Sequence, residues 1–559
     1  MKKASQFECD FEPAVRQLQT SLENWPCSSA YELAAKFFME KELQKKMPFA
    51  RSSDAREAAL NSFKEQLDEQ RTISLDSEEV RLARDFIRRA FEAYYTHLAI
   101  EQEAMDPVPG TVIDDTIVYH RWRFGPGASY GVEGTHAVDK LSTHMSCTPA
   151  ALNHVLMLRR SHPYLRAFDK LKGVDNVKVV PGSRLTTVPK NSDIDRVIAI
   201  EPSGNMALQL GLGRYIEEVL AFQGLDIRYQ QTRNRALAKL GSEDGSLATL
   251  DLSKASDSIS IELIKLLWPK ELVTLFLLFR SPQTEICLNG VKGQHKLTLM
   301  STMGNGFTFP MMTMTFLALI YAMKSIKAGS HNGYVDFTRY AVFGDDIEVP
   351  ADQAGSMISI LRRAGFKTNV EKSFVCGKFR ESCGGYYHGG RDMTPFRSKG
   401  VRSLSDLYVT VNGLIDWAVK TGFGSRIVPT ISLLLRQVTH PYFVPEWEMP
   451  DSGIRTAEHV PKRYKVLRQR RRSTSHRGFM EIPLICGGYL RPGKVYTRKG
   501  RGGEEELLTE LLYTRRTAAI ETFTLKLRLP SGSSSGWDPS MGSHLASSER
   551  DLIIALSLS

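Results

Sequence analysis

No Cys-x-x-Cys pair occurs in these 559 residues, and none of the seven cysteines stands with histidines at zinc spacing. A structural zinc site is therefore not expected. The cysteines are odd in number and scattered from Cys9 to Cys486, which reads as reduced thiols of a cytoplasmic protein rather than a disulfide framework. Neither GxGxxG nor GxxxxGK[ST] is present, so no glycine loop for a nucleotide is assigned, even in the Gly-rich stretch Arg121–Gly131. That stretch reads equally as a basic loop near template or nucleotide and as an ordinary turn-rich connection. Internal repeats are lacking. The start, Met-Lys-Lys-Ala-Ser-Gln, leads into acidic residues with no apolar signal region. A bilayer span needs about 20 predominantly apolar residues. The longest apolar stretch, Phe307–Met323, is broken by Pro310 and several threonines, so it is expected to be a buried helix and no membrane contact is expected.

What is present is the composition of a folded protein, 42% hydrophobic, with a formal net charge of +11. A chain of this length divides into several lobes. An excess of cations suits a polyanionic partner, although many basic proteins bind nothing charged. Residues 11 to about 105 read as helical. Asp76-Ser-Glu-Glu79 resembles a capping box, followed at helical spacing by Leu82, Phe86, Ile87, Ala90, Phe91, Tyr94 and Leu98, a packing stripe. From about 180 to 400, short apolar runs alternate with polar turns and two helices are expected, the pattern of an α+β layer. Helical patterning returns at Leu404–Gly422 and Val428–Val438. Then comes a basic run from Lys462 to Arg477, and Pro530–Gly536 reads as flexible.

Tyr340-Ala-Val-Phe-Gly-Asp-Asp-Ile-Glu-Val349 is two strand-like runs joined at Gly344-Asp345-Asp346, a hairpin with carboxylates at its tip. Upstream, Leu247-Ala-Thr-Leu-Asp-Leu252 carries Asp251 on another apolar run. An isolated Asp-Asp in a turn is usually a solvated loop. Three carboxylates on neighbouring strand ends instead suit two hard cations about 3.5–4 Å apart, which clamp the oxygens of a phosphoryl displacement. That chemistry is a nucleic-acid polymerase's. Asp257, six residues past Asp251, is placed to accept a hydrogen bond from a ribose 2′-hydroxyl, with helix capping by Ser256 or Asp257 as the plainer alternative. Ser301-Thr-Met-Gly-Asn-Gly-Phe-Thr-Phe309 offers Ser301 and Asn305 as hydrogen-bonding groups for ribose and template, with Gly304 permitting close approach of RNA. Lys190 and Arg196 are candidate triphosphate cations, Arg233 and Arg235 extend that path toward RNA, and Lys372 is a candidate general acid for pyrophosphate departure.

In order and spacing, these segments resemble the catalytic subunit of the replicases of leviviruses, the small single-stranded RNA bacteriophages. The strings that carry the likeness are Val188-Pro-Lys-Asn-Ser, Asp195-Arg196, Ile200-Glu-Pro202, Gly245–Ser253, Ala255–Ser260, Ser301–Phe309, Gly344-Asp-Asp-Ile347 and Phe379–Gly384, across roughly 180 to 400. Phe343 stands where the family has tyrosine, and Pro310-Met-Met312 where it has acidic and polar residues.

The resemblance implies an α+β right-hand polymerase with fingers, palm and thumb, the palm built on an antiparallel sheet. It implies RNA-templated RNA synthesis with two Mg2+ ions, replaceable by Mn2+, on Asp251, Asp345 and Asp346. The expected divisions are a helical region 1–110 packing on fingers and thumb, fingers 111–240, palm 241–400, thumb and C-terminal region 401–528, and a flexible tail 529–559. The implied partners are RNA, ribonucleoside triphosphates, host elongation factors Tu and Ts and a ribosomal protein, in the cytoplasm of an infected bacterium. Two other readings compete. A reverse transcriptase of the same architecture would carry an aromatic steric gate soon after Asp251, and none is there. A non-catalytic basic RNA-binding protein would have no need of three spaced carboxylates.

Overall fold

The computed structural model describes residues 11–46, 54–69, 72–101, 108–141, 143–162, 165–166, 177–190, 194–329, 335, 337–398, 400–439, 441–445, 449–456 and 549–558. The expected helical N-terminal region is four helices, α1 Glu12–Glu23, α2 Ala30–Lys46, α3 Ala55–Asp68 and α4 Ser77–Glu101. Asp76 donates its N–H to the Glu79 carboxylate at 2.9 Å, the returning half of a capping box, and the α4 stripe from Leu82 to Tyr94 is buried. Short helices α5 Asp115–Arg121, α6 Ala137–Leu141 and α7 Leu152–Ser161 follow.

Among the described residues between 180 and 400 there are six α-helices where the sequence suggested two. They are α8 Ser203–Phe222, α9 Ile227–Asp244, α10 Ile261–Leu267, α11 Lys270–Phe279, α12 Thr308–Ala328 and α13 Ala354–Arg363. The first of these is buried nearly all round, so it has no amphipathic period to detect. Its glycines serve packing: a Cβ at Gly211 would stand 2.6 Å from the Val118 carbonyl oxygen of α5. The long apolar helix α12 is long and apolar enough to cross a membrane by length and composition, but 83% of that window is buried in the core.

The strands that position the site are β1 Ser183–Pro189, β2 Asp195–Ile200, β3 Leu247–Leu250, β4 Gln283–Leu288, β5 Val291–Lys296, β6 Ala341–Phe343, β7 Asp346–Pro350, β8 Phe379–Ser382 and β9 Gly385–His388. One sheet has β7 between β3 and β6, all antiparallel. A second runs β2-β1-β4-β5, with β1 and β4 parallel and the outer pairs antiparallel. Strands β8 and β9 form an antiparallel hairpin. The main core gathers α4, α8, α12 and the inner faces of β3, β6 and β7. A smaller one seats Leu60, Phe63 and Leu67 of α3 on Leu185, Ala199, Ile286, Leu297 and Leu299.

The described residues fall into two compact units, one within Met1–Ala50, Arg391–Lys499 and Glu521–Ser559, the other within Arg51–Gly390. The expected helical region 1–110 is therefore divided. Helices α1 and α2 join the unit that also holds α14 Leu404–Thr421, α15 Val428–Leu435 and α16 Glu549–Leu558. Helix α4 instead packs on α12, inside the span expected as palm. The expected flexible tail 529–559 ends in α16, where Ile553 and Ile554 are buried and Thr456 donates to Asp551 at 2.7 Å. The basic run 462–477 and residues 529–548 lie outside the described residues.

Candidate active site

Strand β3 stops at Leu250, and Asp251 leaves the ladder immediately after it. Leu250 pairs with Ile347, so antiparallel register sets Asp251 opposite Asp346. Phe343 pairs with Asp346, which leaves only Gly344 and Asp345 to make the turn between β6 and β7. A two-residue hairpin loop favours glycine in the left-handed region, and Gly344 supplies it at φ +64°. The Gly344 N–H donates to Thr313 Oγ1 of α12 at 3.1 Å. Phe343 packs edge-on to Phe309 with ring centroids 4.8 Å apart. The expected hairpin is thus present, with Asp345 at its tip and Asp346 beginning β7.

The electrostatics tie the three carboxylates together. Burial pushes Asp251 up to about 6, with Lys372 pulling it down, Asp345 pushing it up and a hydrogen bond from Asn369 pulling it down. Burial pushes Asp346 up to about 7, eased by the Cys383 N–H and reinforced by Asp345 and Asp251. Carboxylates that discourage one another's charge are a donor set whose chemistry suits a hard divalent cation. Among the described residues, no three acidic, histidine or cysteine side chains are drawn to metal-ligating distance. Protein groups hold the buried carboxylates instead. Asn369 Nδ2 donates to Asp251 Oδ2 at 2.9 Å, and Lys372 Nζ lies 3.8 Å from the same oxygen. The Cys383 N–H donates to Asp346 Oδ1 at 3.1 Å.

Asp257 sits in the 3-10 turn Ala255–Ser258 and accepts the Met303 N–H on Oδ1 at 3.2 Å. This brings it to the Ser301–Phe307 loop. The helix that follows is capped by Ser260, which accepts from Leu263 N–H at 3.0 Å, so capping is the task of neither Ser256 nor Asp257. Ser301 and Asn305 are both buried, and Asn305 Oδ1 accepts the Phe307 N–H at 3.0 Å. Gly304 has φ +107°, and a Cβ there would meet the Ala199 carbonyl oxygen at 2.3 Å, so the approach of β2 itself requires glycine.

The candidate cations occupy different surroundings. Lys190 and Arg196 are exposed on the β1–β2 hairpin, whose strand β2 is fastened to the loop by Ala199 N–H donating to Met303 O at 2.8 Å. The Arg233 guanidinium lies 5.5 Å from the Phe337 ring centroid. Arg235, expected along the RNA path, donates through Nε and Nη2 to the Cys383 carbonyl at 3.1 and 2.8 Å. It therefore fixes the turn that holds Asp346.

Several residues escaped the sequence reading. Ser373 closes around Asp251 by accepting its N–H at 3.1 Å. Asn369 and Ser373 flank Lys372, so their presence in the same short segment was the available signal. Cys383 acts through its backbone, at φ +49° in the β8–β9 turn, and no side-chain pattern announces that. Glu348, two residues beyond Asp346 on the same face of β7, is wholly buried and pushed well above the ordinary carboxylate range by that burial. Asn234 of α9 donates to its carboxyl and to the Asp346 carbonyl, the latter at 3.4 Å.

The family described as RNA replicase, beta-chain matches the chain over residues 14–480. The RNA-directed RNA polymerase subunit beta of Escherichia virus Qbeta is 38% identical over 324 residues, covering 56% of this chain and 51% of that protein. The RNA-directed RNA polymerase beta chain of Escherichia phage MS2 is 36% identical over 325 residues, 57% of each chain. That of Enterobacteria phage GA is 41% identical over 254 residues, 45% of each. The chain spans about half the length of the curated relatives it matches. Among solved structures, the RNA-dependent RNA polymerase of a human picorbirnavirus is similar with a TM-score of 0.45 at 12% identity, covering 77% of this chain and 82% of that one.

Proposed function

Because the chain belongs to the RNA replicase beta-chain family, matched over residues 14–480, we propose that it is the catalytic subunit of an RNA-directed RNA polymerase that copies a single-stranded RNA phage genome. The observation that carries this reading is the antiparallel register that sets Asp251 opposite Asp346, with Asp345 in the turn between. In this reading the β3-β7-β6 sheet is the palm, β1 and β2 belong to the fingers, and the region after 401 supplies the thumb.

Asp251, Asp345 and Asp346 would hold two Mg2+ ions, with Mn2+ able to replace them. When bound, such ions polarise a phosphoryl oxygen and favour the ionised form of the attacking hydroxyl. The remaining chemistry belongs to the chain. Asp257 accepts the 2′-hydroxyl of the incoming nucleotide, while Ser301 and Asn305 shape the loop against which the ribose lies. Lys190 and Arg196 bind the triphosphate, offsetting charge that grows on the leaving pyrophosphate. Lys372, whose Nζ lies 3.8 Å from Asp251, gives a proton to that leaving group. RNA template and product pass by Arg233, while Gly304, expected to admit RNA, instead admits strand β2.

The setting would be the cytoplasm of an infected bacterium, with host elongation factors Tu and Ts and a ribosomal protein as partners. The test is template-directed incorporation of labelled nucleotide on RNA by the purified chain, with and without bacterial extract, in Mg2+ or Mn2+. Ribonucleotide incorporation that requires both template and divalent cation is expected. Incorporation of deoxynucleotides alone would identify a reverse transcriptase, and none under any condition would favour a non-catalytic RNA-binding protein.

A further inference from the structure

Helix α3 lies outside every segment that carries the polymerase chemistry, yet it grips the turn bearing Asp257. Leu60, Phe63 and Leu67 recur at helical spacing and bind one face of α3 to the four-stranded sheet. Ser62 and Gln66, four residues apart, share a neighbouring face. Ser62 Oγ accepts from Lys254 Nζ at 2.8 Å, and Gln66 Nε2 donates to the Asp257 carbonyl at 2.6 Å. The two bonds therefore hold both ends of the Lys254–Asp257 turn.

That turn has reason to be held. Lys254 has φ +52°, a left-handed conformation that non-glycine residues disfavour. Such strain persists only where the surroundings over-determine it. Thr298 Oγ1 adds a third tie by donating to the Leu67 carbonyl at 3.0 Å, just ahead of the Ser301 loop. Three buried side-chain oxygens in this neighbourhood, Gln66 Oε1, Ser301 Oγ and Thr302 Oγ1, have no hydrogen-bond partner among the described residues.

We propose that Gln66 is a positioning residue for ribose selection, setting the height of Asp257 against the nucleotide through its backbone carbonyl. The inference rests on the reading of Asp257 as the group that accepts the 2′-hydroxyl. A site built to hydrogen-bond a hydroxyl discriminates only while its acceptor stands at bonding distance, so a displaced Asp257 loses selectivity before it loses catalysis.

The experiment compares kcat/KM for ribo- and deoxynucleotide incorporation by the full chain, with bacterial extract in every arm. Gln66→Met keeps the length of the side chain and removes its amide. Its ribo-over-deoxy ratio is expected to fall about fivefold to tenfold, with RNA affinity unchanged and a folded chain at the assay temperature. Asp257→Ala is expected to lower the ratio further, and the double variant to match Asp257→Ala alone, because the two act as one unit. An unchanged ratio in Gln66→Met beside a lowered one in Asp257→Ala overturns the inference and leaves the reading of Asp257 intact. Unchanged ratios in both overturn that reading, and the inference with it. Should Gln66→Met not fold, Ser62→Ala and Lys254→Met loosen the exposed end of the same turn. Either must lower the ratio, and wild-type ratios in both overturn the proposal.

Discussion

Burial raises the Asp346 carboxyl to about 7 and Asp251 to about 6, yet the proposed chemistry needs both ionised. The sign follows from linkage. A carboxyl raised in the fold contributes stability below its unfolded value near 4, and that contribution is lost as pH rises through 6 and 7. Divalent cations bind the ionised forms, so they compete with these protons. Mn2+ affinity, measured by calorimetry between pH 5.5 and 8, is therefore expected to rise steeply up to about pH 7 and then flatten. A flat profile would mean that these carboxyls are not the ligands. Arg235 permits a second test at this scale. Its double hydrogen bond to the Cys383 carbonyl assigns it to the turn holding Asp346. Arg235→Ala is expected to lower kcat about tenfold while the salt dependence of RNA binding stays unchanged. A phosphate contact would instead remove about 0.7 from the log–log salt slope on single strands.

At the scale of the element, the β6–β7 hairpin depends on one glycine. A Cβ at Gly344 would stand 2.5 Å from the Phe309 ring, at a backbone φ of +64° that L side chains avoid. Gly344→Ala is expected to cost about 1–3 kcal/mol of stability, read as a lowered thermal midpoint, and to abolish incorporation by turning Asp345 aside. This hairpin was legible in the sequence because apolar alternation and a Gly-Asp turn specify the same local structure. Helix α4 was legible for a similar reason, with a capping box and an apolar stripe in one period. Helix α8 was not, since burial on nearly every side erases periodicity. The three aspartates and Asp257 could be proposed from sequence because side-chain chemistry at strand ends is visible there. Their partners at Cys383 and Gln66 act through a turn N–H and through one amide from a distant helix, and neither leaves a local pattern.

Across the whole molecule, every described candidate site residue, from Lys190 to Lys372, falls within the unit Arg51–Gly390. The other unit builds its own core, where Trp25 meets Trp417 and Phe423 edge-on, with ring centroids 6.3 and 5.1 Å away. This division explains why the chemistry could be read from a middle stretch of sequence, whereas the placement of α1 and α2 with residues after 391 could not. It joins segments hundreds of positions apart, with apolar stripes that fit many surfaces. In the proposed function, Asp251, Asp345 and Asp346 form the cation centre of an RNA polymerase. The most direct measurement is RNA-templated ribonucleotide incorporation by Asp345→Asn, with RNA affinity measured on the same preparation. The substitution keeps the shape of the side chain and removes its charge. Incorporation should fall at least about a thousandfold with RNA affinity near that of the unsubstituted chain. Incorporation within about tenfold of that chain would mean that Asp345 holds no cation.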